Sequence, residues 1–264
     1  MSESYQLRKS RERERQASQA RSGNDISVDF PKVPAARRKK RDRYADSLLA
    51  FCREVLAEKF QLEFSPDHLK AIQKMERAIL EGGNFALAMP RGSGKTTLIL
   101  AACLWAMLHG HKRYLALIGA DKSASQKLMR AIVVELECNE SLIQLYPEAC
   151  YPFRRLERIA NRCKGQNWLG NPTYIEYTAD RVVFASIPNS ELSGAIVEVQ
   201  GITGRIRGMQ HVTPDGKTVR PDIFVVDDPQ TDKSAKSRTM VEQRLEVITG
   251  TCPGLAGPNT EISG

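Results

Sequence analysis

A glycine-rich segment at residues 89–97, Met-Pro-Arg-Gly-Ser-Gly-Lys-Thr-Thr, has the residue types and spacing of a phosphate-binding loop. The glycines at positions 92 and 94 allow the backbone to turn tightly, so that its N–H groups can point at phosphate oxygens. Lys95 is placed to reach the β- and γ-phosphates of a nucleotide, and Thr96 offers a hydroxyl to Mg²⁺. The segment therefore predicts a site for ATP and Mg²⁺. Its expected nucleotide-binding residues are Pro90, Arg91, Gly92, Ser93, Gly94, Lys95, Thr96 and Thr97.

The sequence around this loop favours that interpretation, although one position departs from the usual pattern. The pattern GxxxxGK[ST] has glycine where Met89 stands. The alternative is a glycine-rich turn that arose by chance. However, the loop follows the apolar run 84–89 and precedes an apolar segment, 97–108, that predicts a helix. A strand, a glycine loop and a helix in succession form the context that phosphate binding requires.

Two adjacent carboxylates, Asp227 and Asp228, end the apolar run 222–228 and are followed by a proline. In enzymes with a phosphate-binding loop, an acid at the end of a strand holds the Mg²⁺ shell and its neighbour can polarise the attacking water. We therefore expect Asp227 to be a metal ligand together with Thr96, and Asp228 to be catalytic together with Lys95. The alternative is an ordinary strand-to-turn transition.

Two further groups of residues are candidates with an open role. The segment 201–211, Gly-Ile-Thr-Gly-Arg-Ile-Arg-Gly-Met-Gln-His, predicts a mobile basic loop. Arg205 or Arg207 could act as an arginine finger or contact a DNA backbone, and a plain basic hairpin turn is the alternative. His68 and Gln73 lie on the helix predicted before the glycine loop, where related ATPases often contact the adenine.

The periodicity of apolar residues predicts the elements that position these groups. Seven apolar residues recur at helical spacing within 44–60, Ser65 can cap the next helix, and residues 139–175 lack a clear pattern. Strands alternate with helices, which predicts an α/β fold: a mostly parallel sheet flanked by helices, of the P-loop NTPase type. The 132 positions between Lys95 and Asp227 favour the ATPase branch that has an inserted strand. The expected helices are 66–81, 97–108, 123–137 and 237–249, and the expected strands are 84–89, 113–118, 181–186, 195–200 and 222–228, with another beginning at 260–264.

The positive charge is concentrated in the first 45 residues. The formal net charge of the chain is +8, and residues 1–45 contain 13 Lys or Arg but only 6 Asp or Glu. This segment has few large apolar side chains, so we expect a disordered basic tail, followed by one P-loop ATPase domain at 46–264. The cluster 37–43, Arg-Arg-Lys-Lys-Arg-Asp-Arg, could neutralise phosphates or could be a solvated run of charge.

The remaining features predict a soluble intracellular protein. The six cysteines form no CxxC pair, which favours free thiols in a reducing compartment. His109 and His111 follow an apolar helix without an evident third ligand, so a helix-end loop is preferred to a metal site. We find neither a signal peptide nor an apolar run long enough to span a bilayer, and we expect no membrane partner.

Taken together, these motifs resemble the large terminase subunit of tailed bacteriophages, from about residue 26 to the end of the chain. The resemblance implies an ATPase that translocates double-stranded DNA into a procapsid, with the small terminase subunit and the portal protein as partners. It also implies a homo-oligomer in the cytoplasm of a bacterial host, encoded by a phage or prophage. In that family the loop has a Pro-Arg-Gly form, which accounts for Met89 and makes Arg91 a contact to the nucleotide and a candidate catalytic residue together with Lys95 and Asp228. The resemblance rests on 67–70 (DHLK), 88–97 (AMPRGSGKTT), 201–208 (GITGRIRG), 220–222 (RPD) and 227–232 (DDPQTD) with Ser234 and Ser237.

The chain also departs from this family in two ways. Large terminase subunits are usually longer and continue into a metal-dependent nuclease domain, whereas this sequence stops at Gly264. We therefore expect an N-terminal fragment without nuclease activity, either a truncated gene or one half of a split subunit. It would be cut before the Thr-containing coupling strand that the family places just beyond 260–264, and residues 249–251 (TGT) are the alternative candidate for that motif. Asp228 stands where many relatives have Glu. The alternatives are a helicase-like DNA translocase and an inactive remnant that binds nucleotide or DNA.

Overall fold

Short apolar runs form the central sheet in the computed structural model, which describes residues 24–255. Among residues 24–255, five strands make up this sheet and two small hairpins lie outside it. The strands are β1 (Tyr114–Gly119), β2 (Asn167–Trp168), β3 (Asn171–Pro172), β4 (Glu176–Tyr177), β5 (Arg181–Val183), β6 (Ile196–Gly201), β7 (His211–Val212), β8 (Thr218–Val219) and β9 (Ile223–Asp227).

The order of strands in the main sheet is β4-β5-β6-β1-β9. β1 pairs in parallel with both β6 and β9, whereas β4 and β5 are antiparallel additions at one end. Every residue of β1 is buried, as expected for the central strand of a parallel sheet. The fold is thus α/β with a mixed, mostly parallel central sheet, and it is compatible with a P-loop-like fold.

Helices cover one face of the sheet, and within the described residues the chain between β1 and β6 contains helices whereas the chain between β6 and β9 contains a 3₁₀ turn and the β7–β8 hairpin. The apolar residues of this face, including Leu115 and Leu117, belong to the same buried cluster as the helices, whereas Ala116 and Ile118 face a second, smaller cluster. The α-helices are α1 (Ala35–Ala45), α2 (Leu48–Ala50), α3 (Pro66–Glu81), α4 (Lys95–Leu108), α5 (Lys122–Cys138), α6 (Glu140–Leu145), α7 (Pro147–Arg154), α8 (Asp232–Ala235) and α9 (Arg238–Glu246). Single π or 3₁₀ turns lie at Phe51–Val55, Ala160–Cys163, Ile206–Gly208, Val247–Thr251 and Pro253–Leu255.

The helices on either side of the glycine loop follow the sequence prediction closely. Ser65 caps α3, and its hydroxyl accepts a hydrogen bond from the His68 N–H. Gly82 ends α3 with a positive φ of 84°, a conformation that glycine adopts without strain. α4 begins at Lys95, two residues before the predicted start.

The predicted strand at 84–89 is wrong as a member of the sheet. This segment is extended, but within residues 24–255 it forms no ladder with β9 or another strand. Phe85, Leu87 and Met89 are half-buried and alternate with exposed residues, so the segment has the side-chain pattern of a strand. The alternation of side chains in this segment is therefore that of a strand. Pairing with the sheet also requires the edge of another strand beside it, and an apolar cavity separates this segment from β9.

Two other predicted elements differ from the structure. The single helix expected within 44–60 is divided, because α1 ends at Ala45 and Ser47 caps a new helix at Leu48. Residues 139–175, expected to be irregular, contain α6 and α7. Pro147 occupies the first turn of α7, where a proline costs no intrahelical hydrogen bond.

Residues 24–45 also differ from the disordered tail that the composition predicts. Ile26 and Tyr44 are buried in the main core, and the Asp25 carboxylate accepts hydrogen bonds from the N–H groups of Leu169 and Gly170. A few well-placed side chains thus anchor a segment whose average composition is polar. Residues 1–23 of the predicted tail, and the strand expected to begin at 260–264, lie outside the described residues.

Candidate functional site

The carboxyl ends of the three parallel strands meet at one edge of the sheet. In the strand register, Gly119 of β1 lies beside Gly201 of β6 on one side and beside Asp227 of β9 on the other. Both glycines are required by close packing, because a Cβ at Gly119 would lie 2.9 Å from Ser125 Oγ and one at Gly201 would lie 2.9 Å from Lys122 N. The amino end of α5 therefore approaches this edge closely, an arrangement that the sequence did not reveal.

The glycine loop turns at its two glycines and leads directly into α4. Gly92 and Gly94 have φ values of 79° and 81°, which strain any residue with a side chain. Gly94 is the N-cap residue of α4, so the free N–H groups of the first turn of α4 and its positive dipole end lie at the loop. A helix amino terminus preceded by glycines is a general arrangement for binding an anion through backbone N–H groups.

The first two residues of α4 contact the two carboxylates that end β9. Lys95 Nζ donates a hydrogen bond of 2.6 Å to Asp228 Oδ1, and Thr96 Oγ1 donates one of 3.3 Å to Asp227 Oδ2. The structure therefore brings together four of the five residues that the sequence selected as catalytic or metal-binding, whereas the fifth, Arg91, is exposed in the loop. An ammonium group, a hydroxyl and two carboxylates at a helix amino terminus can bind a phosphate and a divalent cation together.

The two carboxylates differ in their surroundings. Asp227 is half-buried, and burial together with the adjacent charge of Asp228 raises its pKa above the usual range, against the lowering effects of Lys95 and Thr96. Its Oδ1 is buried and has no hydrogen-bond partner among residues 24–255. Asp228 is exposed and has a φ of 42°, in the left-handed region. One carboxylate is thus held inside the site with an unsatisfied oxygen, and the other faces solvent.

His68 and Gln73, the two candidates for an adenine contact, have different positions. His68 Nε2 lies 2.7 Å from the backbone oxygen of Ser93, and its Nδ1 lies 2.8 Å from Ser65 Oγ. Both ring nitrogens therefore bind the protein itself, and His68 connects the start of α3 to the glycine loop. Gln73 lies on the same helix and is exposed. Arg91 is exposed in the loop, where it is accessible to a ligand.

Arg205 immediately precedes the 3₁₀ turn Ile206–Gly208 and Arg207 lies within it, and this turn follows the carboxyl end of β6. This turn replaces the hairpin that was considered as an alternative. Ile206 and Met209 are buried beneath it, so both arginines are held on the outside. Arg207 Nη2 lies 3.5 Å from Thr251 Oγ1, and neither arginine contacts the four-residue site. Both arginines follow the carboxyl end of β6, which lies at the same edge of the sheet as Asp227.

Arg244 of α9 is a further residue near the site that the sequence did not indicate, and it is only 7% exposed. Its Nη1 donates a hydrogen bond of 2.5 Å to the backbone oxygen of Pro229, and it also bonds to Ser234 Oγ. The side chain therefore fixes the turn that immediately follows Asp228. A buried arginine that binds a carbonyl has no recognisable spacing in a sequence, and only the fold shows its partner.

Two cavities border the four-residue site. One has a volume of about 290 Å³ and lies between β9, α3, α4 and residues 85–87, with Lys95, Asp227 and Asp228 at its rim. The other has a volume of about 350 Å³ and lies between the site and the first turns of α5. The four-residue site is therefore open on two sides, toward the apolar cavity beside α3 and α4 and toward the second cavity beside α5.

The remaining candidate features of the sequence are structural. His109 hydrogen-bonds Tyr146 and His111 hydrogen-bonds the Ala45 carbonyl, and burial lowers the pKa of His109 to about 3. Within residues 24–255, no group of three or more His, Cys, Asp or Glu side chains is placed to hold a metal ion. All six cysteines are free thiols. In the described part of the chain, no helix is both long and apolar enough to cross a bilayer.

Comparisons of the chain with models of protein families, with curated proteins and with solved structures gave no match.

Proposed function

We propose that this chain is the ATP-hydrolysing motor domain of a bacteriophage terminase large subunit, which drives double-stranded DNA into a procapsid. The observation that carries the ATPase proposal is the contact of Lys95 and Thr96 with Asp228 and Asp227 at the end of the glycine loop. These residues lie more than 130 positions apart in the chain, and a parallel sheet brings them to one edge. A P-loop fold of the inserted-strand type would account for this arrangement.

The four residues fit a nucleotide that carries Mg²⁺. Mg²⁺ prefers six oxygen ligands and takes several of them from phosphates and water, so it needs only one or two protein ligands. Thr96 Oγ1 and the unsatisfied Oδ1 of Asp227 are suitable oxygen atoms. When bound, the cation would neutralise negative charge on the phosphates while a phosphoryl group is transferred to water.

Each residue then has a defined task in hydrolysis. The N–H groups of the glycine loop and the Lys95 ammonium bind phosphate oxygens, and Arg91 adds a second positive charge from the loop. Asp228, released from Lys95, accepts a hydrogen bond from the attacking water and orients it. Asp227 holds the cation from the end of β9. The exposed Asp228 and the half-buried Asp227 suit these two tasks because only the first must reach solvent water.

DNA is the proposed macromolecular partner, by resemblance to terminases and because of the basic amino-terminal region. The exposed Arg205 and Arg207 lie at the same edge of the sheet as the site, which suits either a DNA contact or an arginine finger toward a neighbouring subunit. The small terminase subunit, the portal protein, homo-oligomer assembly and the cytoplasm of a bacterial host belong to the same proposal.

A second candidate function is a protein that binds nucleotide or DNA without turnover. The observation that favours it is the ion pair itself, because Lys95 and Asp228 engage each other and must separate before either can act. A helicase-like translocase shares the same site and differs in its product, which is unwound DNA.

The deciding experiment measures nucleotide binding and turnover on the same preparation. Lys95→Ala should weaken binding of Mg-ATP by at least about tenfold, equivalent to ~1.4 kcal/mol. Lys217→Ala is the matched control, because it removes an exposed lysine that pairs with Asp215. Equal affinity of the wild type and Lys95→Ala would refute the assignment of the glycine loop.

Turnover with and without double-stranded DNA then separates the candidate functions. Hydrolysis that DNA stimulates supports a motor, and binding without hydrolysis supports the inactive remnant. Strand separation coupled to hydrolysis would favour the helicase-like translocase.

A further inference from the structure

His68 lies between the amino end of α3 and the glycine loop, and both nitrogens of its ring make hydrogen bonds. Its Nδ1 accepts a hydrogen bond of 3.2 Å from the Ser65 N–H, and Ser65 Oγ lies 2.8 Å from the same nitrogen. Its Nε2 lies 2.7 Å from the backbone oxygen of Ser93. The half-buried imidazole therefore connects the cap of α3 to the loop from which α4 begins.

These partners determine which ring nitrogen of His68 carries the proton. A backbone N–H can only donate, so Nδ1 must be the unprotonated acceptor, and a carbonyl oxygen can only accept, so Nε2 must be the donor. Both sides of the ring thus require the same neutral tautomer, with the proton on Nε2. The capping box at Ser65 consequently fixes the donor that reaches Ser93.

The hydrogen bond from His68 restrains the peptide unit between Ser93 and Gly94. In a trans peptide the C=O and the N–H point in opposite directions, so holding the Ser93 oxygen against His68 turns the Gly94 N–H the other way. The Gly94 oxygen is also held, because it accepts the Leu98 N–H of α4 at 2.9 Å. The two carbonyls that precede Lys95 are thus both bound to donors of the protein itself.

This peptide unit needs an external partner to keep its orientation. Gly94 has a φ of 81° and open space where a Cβ would stand, so rotation of the unit meets little steric resistance. The Ser93 side chain gives no support, since its Oγ is buried without a hydrogen-bond partner among residues 24–255. The hydrogen bond from His68 therefore opposes a rotation that would turn the Ser93 oxygen toward an anion at the amino end of α4.

We propose that His68 is a positioning residue of the glycine loop, which keeps the Gly94 N–H available to a phosphate oxygen by binding the Ser93 carbonyl. This role rests on the proposed function, because it requires that the loop binds phosphate. His68 then acts on the phosphate end of the ligand and not on its base. Its loss should weaken any triphosphate, with or without adenine.

Titration calorimetry with two ligands, Mg-ATP and inorganic triphosphate with Mg²⁺, tests this role. His68→Asn keeps an acceptor for the Ser65 N–H but loses the donor to Ser93, so it should weaken both ligands by about 3- to 10-fold, the usual contribution of one hydrogen bond. His68→Gln can place an amide donor near the position of Nε2 and should recover most of the affinity. The matched control is His211→Asn in the β7–β8 hairpin, which should bind both ligands as the wild type does.

Three outcomes would overturn the proposal. A loss confined to ATP would make His68 a base contact, full affinity in His68→Asn would limit the residue to capping α3, and equal losses in His68→Asn and His68→Gln would exclude the Nε2 donor. Lys95→Ala separates these results from a failure of the proposed function. If Lys95→Ala binds triphosphate as the wild type does, the proposed function fails and this role with it. A loss in Lys95→Ala with full affinity in His68→Asn overturns only the role of His68.

The ring of His68 provides a second measurement, on the wild-type protein, if a variant fails to fold. Its ¹⁵N shifts report the tautomer, and exchange of the ring proton with water reports the hydrogen bond. A proton on Nε2 that exchanges slowly supports the proposal. A proton on Nδ1, or one on Nε2 that exchanges as fast as in free imidazole, overturns it.

Discussion

Lys95 Nζ lies 2.6 Å from Asp228 Oδ1, although the two residues are 133 positions apart in the chain. The lysine side chain is 27% exposed and the aspartate side chain 73% exposed, so the pair is accessible to ions and water. Under the proposed function, a phosphate bound at the glycine loop would compete with Asp228 for Lys95. Nucleotide binding would then release the Asp228 carboxylate from its ion pair with Lys95.

Asp228→Asn should separate nucleotide binding from hydrolysis. The substitution removes the carboxylate that competes for Lys95, so Mg-ATP should bind with equal or higher affinity. Turnover should fall by about 10²- to 10⁴-fold, the usual contribution of a group that orients and deprotonates a nucleophile. Titration calorimetry measures binding, and phosphate release measures turnover.

The control for this prediction is Asp215→Asn, since Asp215 is an exposed carboxylate that also pairs with a lysine but lies in the β7–β8 turn. Turnover that is unchanged in Asp228→Asn would exclude Asp228 as the water-orienting acid. A large loss of nucleotide affinity would assign it to binding instead.

Asp227 should make the protein less stable as pH rises. Burial and the charge of Asp228 raise its pKa above the value of 3.8 expected in an unfolded chain. The folded state therefore favours the protonated form, and this stabilisation is present below pH 3.8 and is lost as pH rises through the folded pKa. Asp227→Asn should consequently increase the free energy of unfolding at neutral pH, as measured by urea denaturation, and should weaken the effect of Mg²⁺ on nucleotide affinity. If Asp227→Asn has the same free energy of unfolding as the wild type at neutral pH, the Asp227 carboxylate is well solvated.

The local parts of this fold could be predicted from the sequence. Ser65, Pro66 and Gly82 mark the ends of α3 through capping and backbone preferences that act within a few residues. The apolar runs of β1 and β9 were likewise recognisable as buried strands. The glycine loop was recognisable because its chemistry depends on consecutive residues.

Long-range pairing could not be predicted in the same way. The side chains of 84–89 follow the period of a strand, but membership of the sheet depends on which edge lies beside them. The helices α6 and α7 were missed because Pro147 and Pro152 are typical of irregular segments, whereas Pro147 is favourable at the first turn of a helix. The role of Arg244 depends on the path of the chain between β9 and α9 and has no local signal.

Arg244 should act as a positioning residue for Asp228. Arg244→Met removes its hydrogen bonds to the Pro229 carbonyl and Ser234, which should lower the free energy of unfolding by about 2–3 kcal/mol, as for buried hydrogen bonds of a charged group. It should also lower kcat with little change in nucleotide affinity, because the turn after Asp228 is released while the glycine loop is retained. Arg244→Lys should recover part of the activity.

The matched control is Arg238→Met on the same helix. Arg238 is 93% exposed and pairs with Glu242 one turn away, so its replacement should change stability by no more than about 0.5 kcal/mol. If Arg244→Met loses stability but keeps kcat, the residue is only structural.

The basic helix α1 should contribute to DNA binding through residues that have no acidic partner. Arg41 and Arg43 pair with Glu148 and Glu54, whereas Arg38, Lys39 and Lys40 are exposed and form no ion pair within the described residues. Deleting the whole basic segment would also remove Ile26 and Tyr44 from the core, so substitution is the sharper test. Replacing Arg38, Lys39 and Lys40 with glutamine should reduce the slope of log affinity against log salt by up to about 3 for duplex DNA, since each phosphate contact contributes ~0.9.

Arg43→Gln provides the control for this helix, because it removes one positive charge that is already neutralised by Glu54. It should change the salt slope by much less than one phosphate contact. Both proteins should unfold at the same denaturant concentration as the wild type, since none of the four side chains is buried. An unchanged slope in the triple substitution would show that α1 is a solvated run of charge, and DNA binding would then have to be sought at Arg205 and Arg207.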